Sequence, residues 1–589
     1  MSIRVHALLL LLSAFLLQSF AGCAGSGAAT GTILPTQTYT VGGTVSGLSG
    51  GPLVLQINNG DNLTINSNGS FTFSNPISAG DFFLVTVLTQ PSSPAQICTV
   101  KNAYGAVRTA NARNVQVTCT TLSALPPKIT TAAHQWTWAG GYNVPDQAGV
   151  YGQQGVPAVA NIPSARTGAV GWTDSQGNFW LFGGEGPPEG GWCGVNDSLC
   201  LSPTNDYMND LWKFDGSEWT WMGGSSSANQ KGVYGTLGQA ASGNVPGSRY
   251  GAVSWSDSQG NFWLFGGYGY DSAGKTGVLN DLWKYSDGQW TWMGGSKLID
   301  QPGVYGTRGA PAPGNFPGAR FGAIAFTDPS GNVWLFGGQG CDSTNNCSLA
   351  LNDLWKYSGG QWTWVSGQIL SYPAQPGIYG TLGTPAPANV PGARYNAAGW
   401  MDHSGNLLIF GGTGYNMLDS NLAELNDFLK FSGSQWIWMG GADNLVDQPG
   451  TYGTEGTPAP GNIPGSRDGA ESWIDANGNL WLFSGEGMTG GPGPGVPAFN
   501  DLWKYSAGEW TWVGGSNTGQ QSGVYGTLGI PAPGNIAGAR MGAVTWVDAK
   551  GNLWLFGGSA LLAADNGGQG EQTPAPGGYM NDLWVYQPQ

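Results

Sequence analysis

Carboxylates standing in an otherwise apolar repeat are the first candidates for chemistry. A phrase of the form (A/S)R-x-G-A recurs along the chain and runs on into an apolar residue, as in RTGAV, RYGAV and RMGAV. One copy instead reads Arg467-Asp468-Gly469-Ala470-Glu471. A second departure follows it: the glycine pair that ends the next apolar run becomes Ser484-Gly485, with Glu486 after it. Glu185 follows the glycines of the first copy in the same way. Glu471 replaces an apolar strand residue, and burying a carboxylate without partners is costly. Drift in one repeat and a polar or cation-binding site are both open readings. Such acids could also do carboxylate chemistry of the glycosidase kind, although spacing singles out no pair of them.

Tyrosines are the second candidates. A G-x-Y-G-T phrase, which at its first copy ends in Gly-Gln, places them at Tyr151, Tyr234, Tyr305, Tyr379, Tyr452 and Tyr525. Six tyrosines on one face could stack against sugars or another protein; alternatively each packs down its own loop. The repeated arginines and the aspartates of the N-D-L-W phrase lie at the same end of their strands, as charge pairs between strands or as an anion-binding ring. The chain has three histidines, His6, His134 and His403, and no Ser-His-Asp or Cys-His arrangement. No catalytic residue, metal or cofactor is expected. Of the seven cysteines, six fall into local pairs, Cys98 with Cys119, Cys193 with Cys200 and Cys341 with Cys347, and read as disulfides of an exported protein.

The elements that must position these residues follow from the period. The arginine of the first phrase recurs at Arg166, Arg249, Arg320, Arg394, Arg467 and Arg540, at intervals of 83, 71, 74, 73 and 73 residues. Three phrases follow it in fixed order. The first is GN-x-W-L-F-G-G, as in Gly260 to Gly267. N-D-L-W-K-Y comes next, starting at Asn209, Asn280, Asn352, Asn426 (as N-D-F-L-K-F), Asn500 and Asn581. W-T-W comes last, at Trp219, Trp290, Trp362, Trp436 (as W-I-W) and Trp510. Each phrase is an aromatic, β-branched run bounded by glycine, hence a strand, and four strands make a propeller blade. The sixth unit lacks its W-T-W, which stands instead at Trp136-Thr137-Trp138. The expectation is an all-β, six-bladed propeller over 135–589, closed by an N-terminal outer strand.

The double glycine with its downstream tyrosine and tryptophans resembles the Kelch repeat of the galactose oxidase-like central domain superfamily, over about 455 residues. The resemblance implies fold more than activity, since Kelch propellers serve mostly as binding scaffolds. Galactose oxidase holds copper with histidines and a redox tyrosine, for which three histidines do not suffice. Bacterial sialidases share only the six-bladed fold: their aspartate-box turns have one residue between aspartate and glycine, whereas two intervene in Asp257-Ser258-Gln259-Gly260. Short a-b and c-d turns contrast with long b-c and d-a loops. The long loops share one face, where ligand contact is expected.

Upstream, residues 1–22 read as a secretory signal with Arg4 and an apolar core from Ala7 to Leu17. Phe20-Ala21-Gly22-Cys23 resembles a bacterial lipobox, which implies lipidation of Cys23 and, with Ala24 following it, an outer-membrane lipoprotein; the alternative is simple secretion. Residues 23–36 form a lipidated flexible tether, 37–122 a small antiparallel β-sandwich with a spacer or minor adhesive role, and 123–134 a linker. The 101 glycines then punctuate a β repeat, and a net charge of −15 excludes nucleic acid and anionic membrane as partners. The functional expectation is a monomeric, surface-tethered binding or scaffold protein for an extracellular glycan or protein, touching membrane only through its lipid anchor. The competing class is a carboxylate-dependent glycan hydrolase or lyase on the same face.

Overall fold

Residues 37–58, 60–91, 93–94, 96–121, 129–186, 206–373, 375–417, 422–488, 497–560 and 578–588 are described by the structure, a computed structural model. Among them the protein is all-β, without a helix. Cys23, Cys193 and Cys200 lie outside the described residues.

The N-terminal strands form two four-stranded sheets. Alternation dictates their faces: Leu53–Ile57 buries Leu53, Leu55 and Ile57 and turns Val54 and Gln56 outward. The sheets are not wholly antiparallel as expected. Val41–Ser46 pairs in parallel with Ala112–Thr121, the first and last strands of that sheet in chain order lying side by side. Ala112–Thr121 also pairs antiparallel with Gln96–Lys101, placing Cys119 opposite Cys98 in a disulfide. The core of this unit continues into Tyr142, Val144 and Ile162, with Val150 packed against it. In the next repeat Val233, which matches Val150, is exposed.

The repeats form six antiparallel sheets of four or five strands among the described residues. In the second, Val253–Ser256, Phe262–Tyr270, Thr276–Ser286 and Gln289–Gly294 run outward in chain order. In the last, Val544–Val547, Leu553–Ala560 and Gly578–Tyr586 are followed by Trp136–Gly140, whose Trp136 and Trp138 face Tyr586 and Trp584. The first strand of each arrangement touches the first strand of the next, and Val170–Thr173 also touches Val544–Val547. Aromatic residues fill the spaces between sheets. Trp172 stacks on Phe262 at 5.3 Å, and Phe179 on Trp546 at 5.2 Å.

The short turns explain their own repeated sequence. Asp174 Oδ1 accepts from the amides of Gln176 and Asn178, while Oδ2 accepts from Asn178 Nδ2 and Trp180 Nε1, at 2.8–2.9 Å. This is a side-chain-closed turn, with the aspartate spent on backbone geometry. The glycine pairs answer a close approach: a Cβ on Gly266 would stand 2.6 Å from the Arg320 carbonyl oxygen of the next repeat, at φ +68°.

Candidate functional site

The six tyrosines face inward. Each phenol donates to Oδ2 of an N-D aspartate at 2.6–2.8 Å, as in Tyr151 to Asp210, Tyr234 to Asp281 and Tyr305 to Asp353. The same carboxylates receive Arg166, Arg249, Arg320, Arg394, Arg467 and Arg540 in bidentate pairs at 2.6–2.8 Å. In five repeats the tryptophan two residues on adds its Nε1 at 2.6–2.7 Å; Leu429 replaces it in the fourth. Each arginine also donates Nη1 to the carbonyl of the first residue of the glycine pair. Burial pushes the phenols of Tyr305, Tyr379 and Tyr525 well up, so they stay neutral donors. Arginine, aspartate, tyrosine and tryptophan form one buried brace per repeat, with the charges paired inside each sheet. The phenols of Tyr151, Tyr379, Tyr452 and Tyr525 are engaged in the same way. As sugar-stacking candidates the six tyrosines are therefore corrected: each loop is latched to its sheet.

The braces hold the start of each first strand around an axial cavity of about 180 Å³, lined by the six pairs from Gly168-Ala169 to Gly542-Ala543. Its wall is a chain of backbone hydrogen bonds. Gly251 N donates to Gly168 O, Gly322 to Gly251, Asn396 to Gly322, Gly469 to Asn396, Gly542 to Gly469 and Gly168 to Gly542, at 2.8–2.9 Å. Every member has φ between +52° and +67°, which requires glycine or, once, asparagine.

Just outside this wall lies a rim that the repeats do not conserve. The residue after each arginine pairs with the one after each glycine pair. The pairs are Thr167 with Glu185, Tyr250 with Tyr268, Phe321 with Gln339, Tyr395 with Thr413, Asp468 with Glu486 and Met541 with Ser559. One arc is aromatic: ring centroids lie 5.4 Å apart for Tyr207 and Tyr250, 5.7 Å for Tyr250 and Phe321, and 6.5 Å for Phe321 and Tyr395. Tyr250, Tyr268, Phe321 and Tyr395 are each half-buried. Apart from Asp468 and the post-glycine acids, these rim residues escaped the sequence reading. The signal available was the variable x inside a constant phrase.

The next arc is acidic. Asp468 Oδ2 accepts from Asn396 Nδ2 at 3.3 Å and Thr413 Oγ1 at 3.1 Å, and burial raises its carboxyl above the ordinary range. Burial, with the neighbouring charge of Asp468, pushes Glu486 up to about 7. Burial and a hydrogen bond with Asp447 push Glu424, beside them, to about 7 as well. Glu185 belongs to the aromatic side, where it accepts from Tyr579 Oη at 2.8 Å. Glu471 stands apart from the rim, reaching across to the last repeat: Ala543 N donates to its Oε1 at 2.8 Å, and its buried Oε2 has no partner. Burial raises it to about 8 against the opposing pull of that hydrogen bond and of Arg540 and Arg467. Ser484, at φ +66°, joins the same two repeats: its hydroxyl accepts from Arg540 N and lies in hydrogen-bonding reach of the carbonyls of Phe499 and Arg540, to one of which it donates its single proton. The structure thus brings Asp468 and Glu486 together and holds Glu471 behind the cavity wall.

Asp300 lies close to Cys341 and Cys347, but those sulfurs are joined in a disulfide and offer no thiolate.

No protein-family model matches the chain, and no curated protein matches it. Solved structures do resemble it. The structure of YjhT is 15% identical, with a TM-score of 0.39, over 74% of this chain and 95% of that one. A fungal alcohol oxidase of the AA5 family in complex with copper is 12% identical, with a TM-score of 0.35, over 75% of this chain and 77% of its own. A protein of unknown function from Dyadobacter fermentans is 10% identical, with a TM-score of 0.37, over 74% of this chain and 97% of its own.

Proposed function

We propose that this chain is an exported, surface-tethered binding protein whose residues 135–589 form a six-bladed, Kelch-type propeller that recognises an extracellular glycan or protein through its loop face. Pairing of Trp136–Gly140 with Gly578–Tyr586 and the cyclic run of hydrogen bonds from Gly168 to Gly542 support the blade count and the closure. The disulfides Cys98–Cys119 and Cys341–Cys347 fit an oxidising compartment, and Cys23 is the proposed lipid attachment. Residues 37–122 carry the propeller on the tether, and the protein acts as a monomer.

One observation carries the reading: half-buried aromatic rings and carboxylates surround an axial cavity at positions where the repeats otherwise vary. A glycan array probed with the full chain tests it. Tyr250→Ala or Phe321→Ala should weaken the retained glycan about tenfold, since a stacking contact contributes on the order of 1–1.5 kcal/mol. Undiminished retention in both variants removes the rim from the site.

A second reading has its own support. Asp468 and Glu486 are cross-strand neighbours, and a carboxyl near 7 suits general acid work at neutral pH. Product formation from an array hit, abolished in Glu486→Gln, would establish a hydrolase or lyase.

A further inference from the structure

We infer that the loop corners of the second, third and fourth repeats seat the N-terminal β unit of a second copy of this chain. The contact goes beyond the binding reading above: the chain is single in dilute solution, and copies meet head to tail where they are crowded on a surface. A corner is the loop that leaves the outermost strand of a repeat sheet. Each corner opens at a glycine of positive φ, namely Gly141, Gly224, Gly295, Gly367, Gly441 and Gly515. Three residues beyond Gly141 stands Val144, 5% exposed and built into the core of the N-terminal unit. The same count from Gly224 and Gly515 gives Ser227 and Thr518, polar and exposed at the corners on either side. From Gly295 and Gly367 it gives Leu298 and Leu370, which are 50% and 40% exposed. Tyr372, 72% exposed, and Leu445 of the fourth corner extend this apolar run. The three corners are neighbours, since the first strands of the second, third and fourth repeats touch in turn. Contiguous exposed apolar residues, at positions where serine and threonine also serve, mark an interface.

The chain itself shows what an apolar corner carries: a β unit, whose core runs on into Val144 and Ile162. That unit is also the electrostatic match. Residues 37–121 hold Lys101, Arg108 and Arg113 against Asp61 and Asp81, a positive surplus within a chain of net charge −15. Two repeat arrays set face to face would bring like charges together, whereas the N-terminal unit meets the acidic array with the opposite sign. Its outward surface is apolar as well. Leu53–Ile57 and Phe82–Thr89 contain no charged residue, and on them Val54 and Leu84 are half-buried and Leu88 is exposed. Seat and docking unit lie on different parts of the chain, so the contact is heterologous and extends from copy to copy. Tethering on one surface supplies the local concentration that dilute solution lacks.

Cysteine cross-linking tests this on chains that begin at Ala24, which keep every described residue and lack Cys23. An oxidised mixture of Leu88→Cys and Leu370→Cys chains should form a linked pair roughly tenfold faster than either variant alone. Sedimentation of the unsubstituted chain should show association that grows with concentration. The double variant Leu298→Ser, Leu370→Thr should weaken that association roughly tenfold while glycan retention at the rim stays unchanged; Ser227 and Thr518 show that the fold accepts such residues there. Equal linking rates in mixed and single samples overturn the proposal, as does a chain that stays single at every concentration. Faster linking of Leu370→Cys to itself overturns it in favour of corner against corner. Binding to phosphatidylcholine vesicles that the double variant loses, with no association between copies, overturns it in favour of a bilayer.

Discussion

The aspartate of the N-D-L-W phrase meets three donors from three different parts of its repeat, and that convergence explains why those residue types recur together. Asp353 accepts from Arg320, Tyr305 and Trp355 with no solvent exposure of its side chain. A buried ion pair repays its desolvation only when its remaining hydrogen-bonding capacity is satisfied, which the tyrosine and tryptophan accomplish. Tyr305→Phe should therefore cost about 1.5–3 kcal/mol in denaturant unfolding, as loss of a hydrogen bond to a charged group, and leave ligand affinity unchanged. A matching loss of affinity would return the tyrosines to the binding face. Glu471 gives a prediction of a different sign. Its carboxyl is raised from 4.5 unfolded to about 8 folded, so the folded state binds the extra proton between those values. Its contribution is whole below about pH 4.5 and is lost as pH rises through 8, at about 1.4 kcal/mol per unit within that window. Glu471→Gln, which keeps an acceptor for Ala543 N, should flatten the fall of Tm between pH 5 and 8 relative to the native chain. Parallel curves would show that Glu471 is not protonated in the folded protein.

At the scale of elements, one strand at the N-terminal end of the repeat array completes the sheet at its C-terminal end. Trp136 is 4% exposed and packs on Phe483, Trp584 and Tyr586, residues more than 340 positions away. Trp136→Ala should destabilise the last sheet by about 3–5 kcal/mol, the range for emptying a buried aromatic site. Hydrogen exchange should then accelerate in Gly578–Tyr586 before other third strands; uniform acceleration would mean that the strand does not act locally. The phrase count foretold this pairing because aromatic strand phrases report their own periodicity. The wholly antiparallel sandwich was a miss: Val41–Ser46 and Ala112–Thr121 each alternate correctly, but alternation carries no information about a neighbour's direction.

Across the whole molecule, the repeats divide into constant parts and parts that vary. The constant parts build the braces, the glycine approaches and the hydrogen-bonded wall. The variable parts, 18 positions apart within each repeat at Tyr250 and Tyr268 or at Asp468 and Glu486, form the rim. The apolar core of the N-terminal unit continues into Tyr142, Val144 and Ile162. The sequence by itself determined the strands, their order and period, the disulfide pairs Cys98–Cys119 and Cys341–Cys347, and the unusual acids of the fifth repeat, because each is encoded in local pattern or spacing. Only the tertiary structure decided that six tyrosines face inward, that Tyr207, Tyr250, Phe321 and Tyr395 make one arc, and that Glu471 keeps an open oxygen behind the cavity wall. The first arises from contacts 47 to 59 positions apart within a brace, and the others between repeats, from contacts among residues some 43 to 74 positions apart; no local pattern records which side chains such packing brings together.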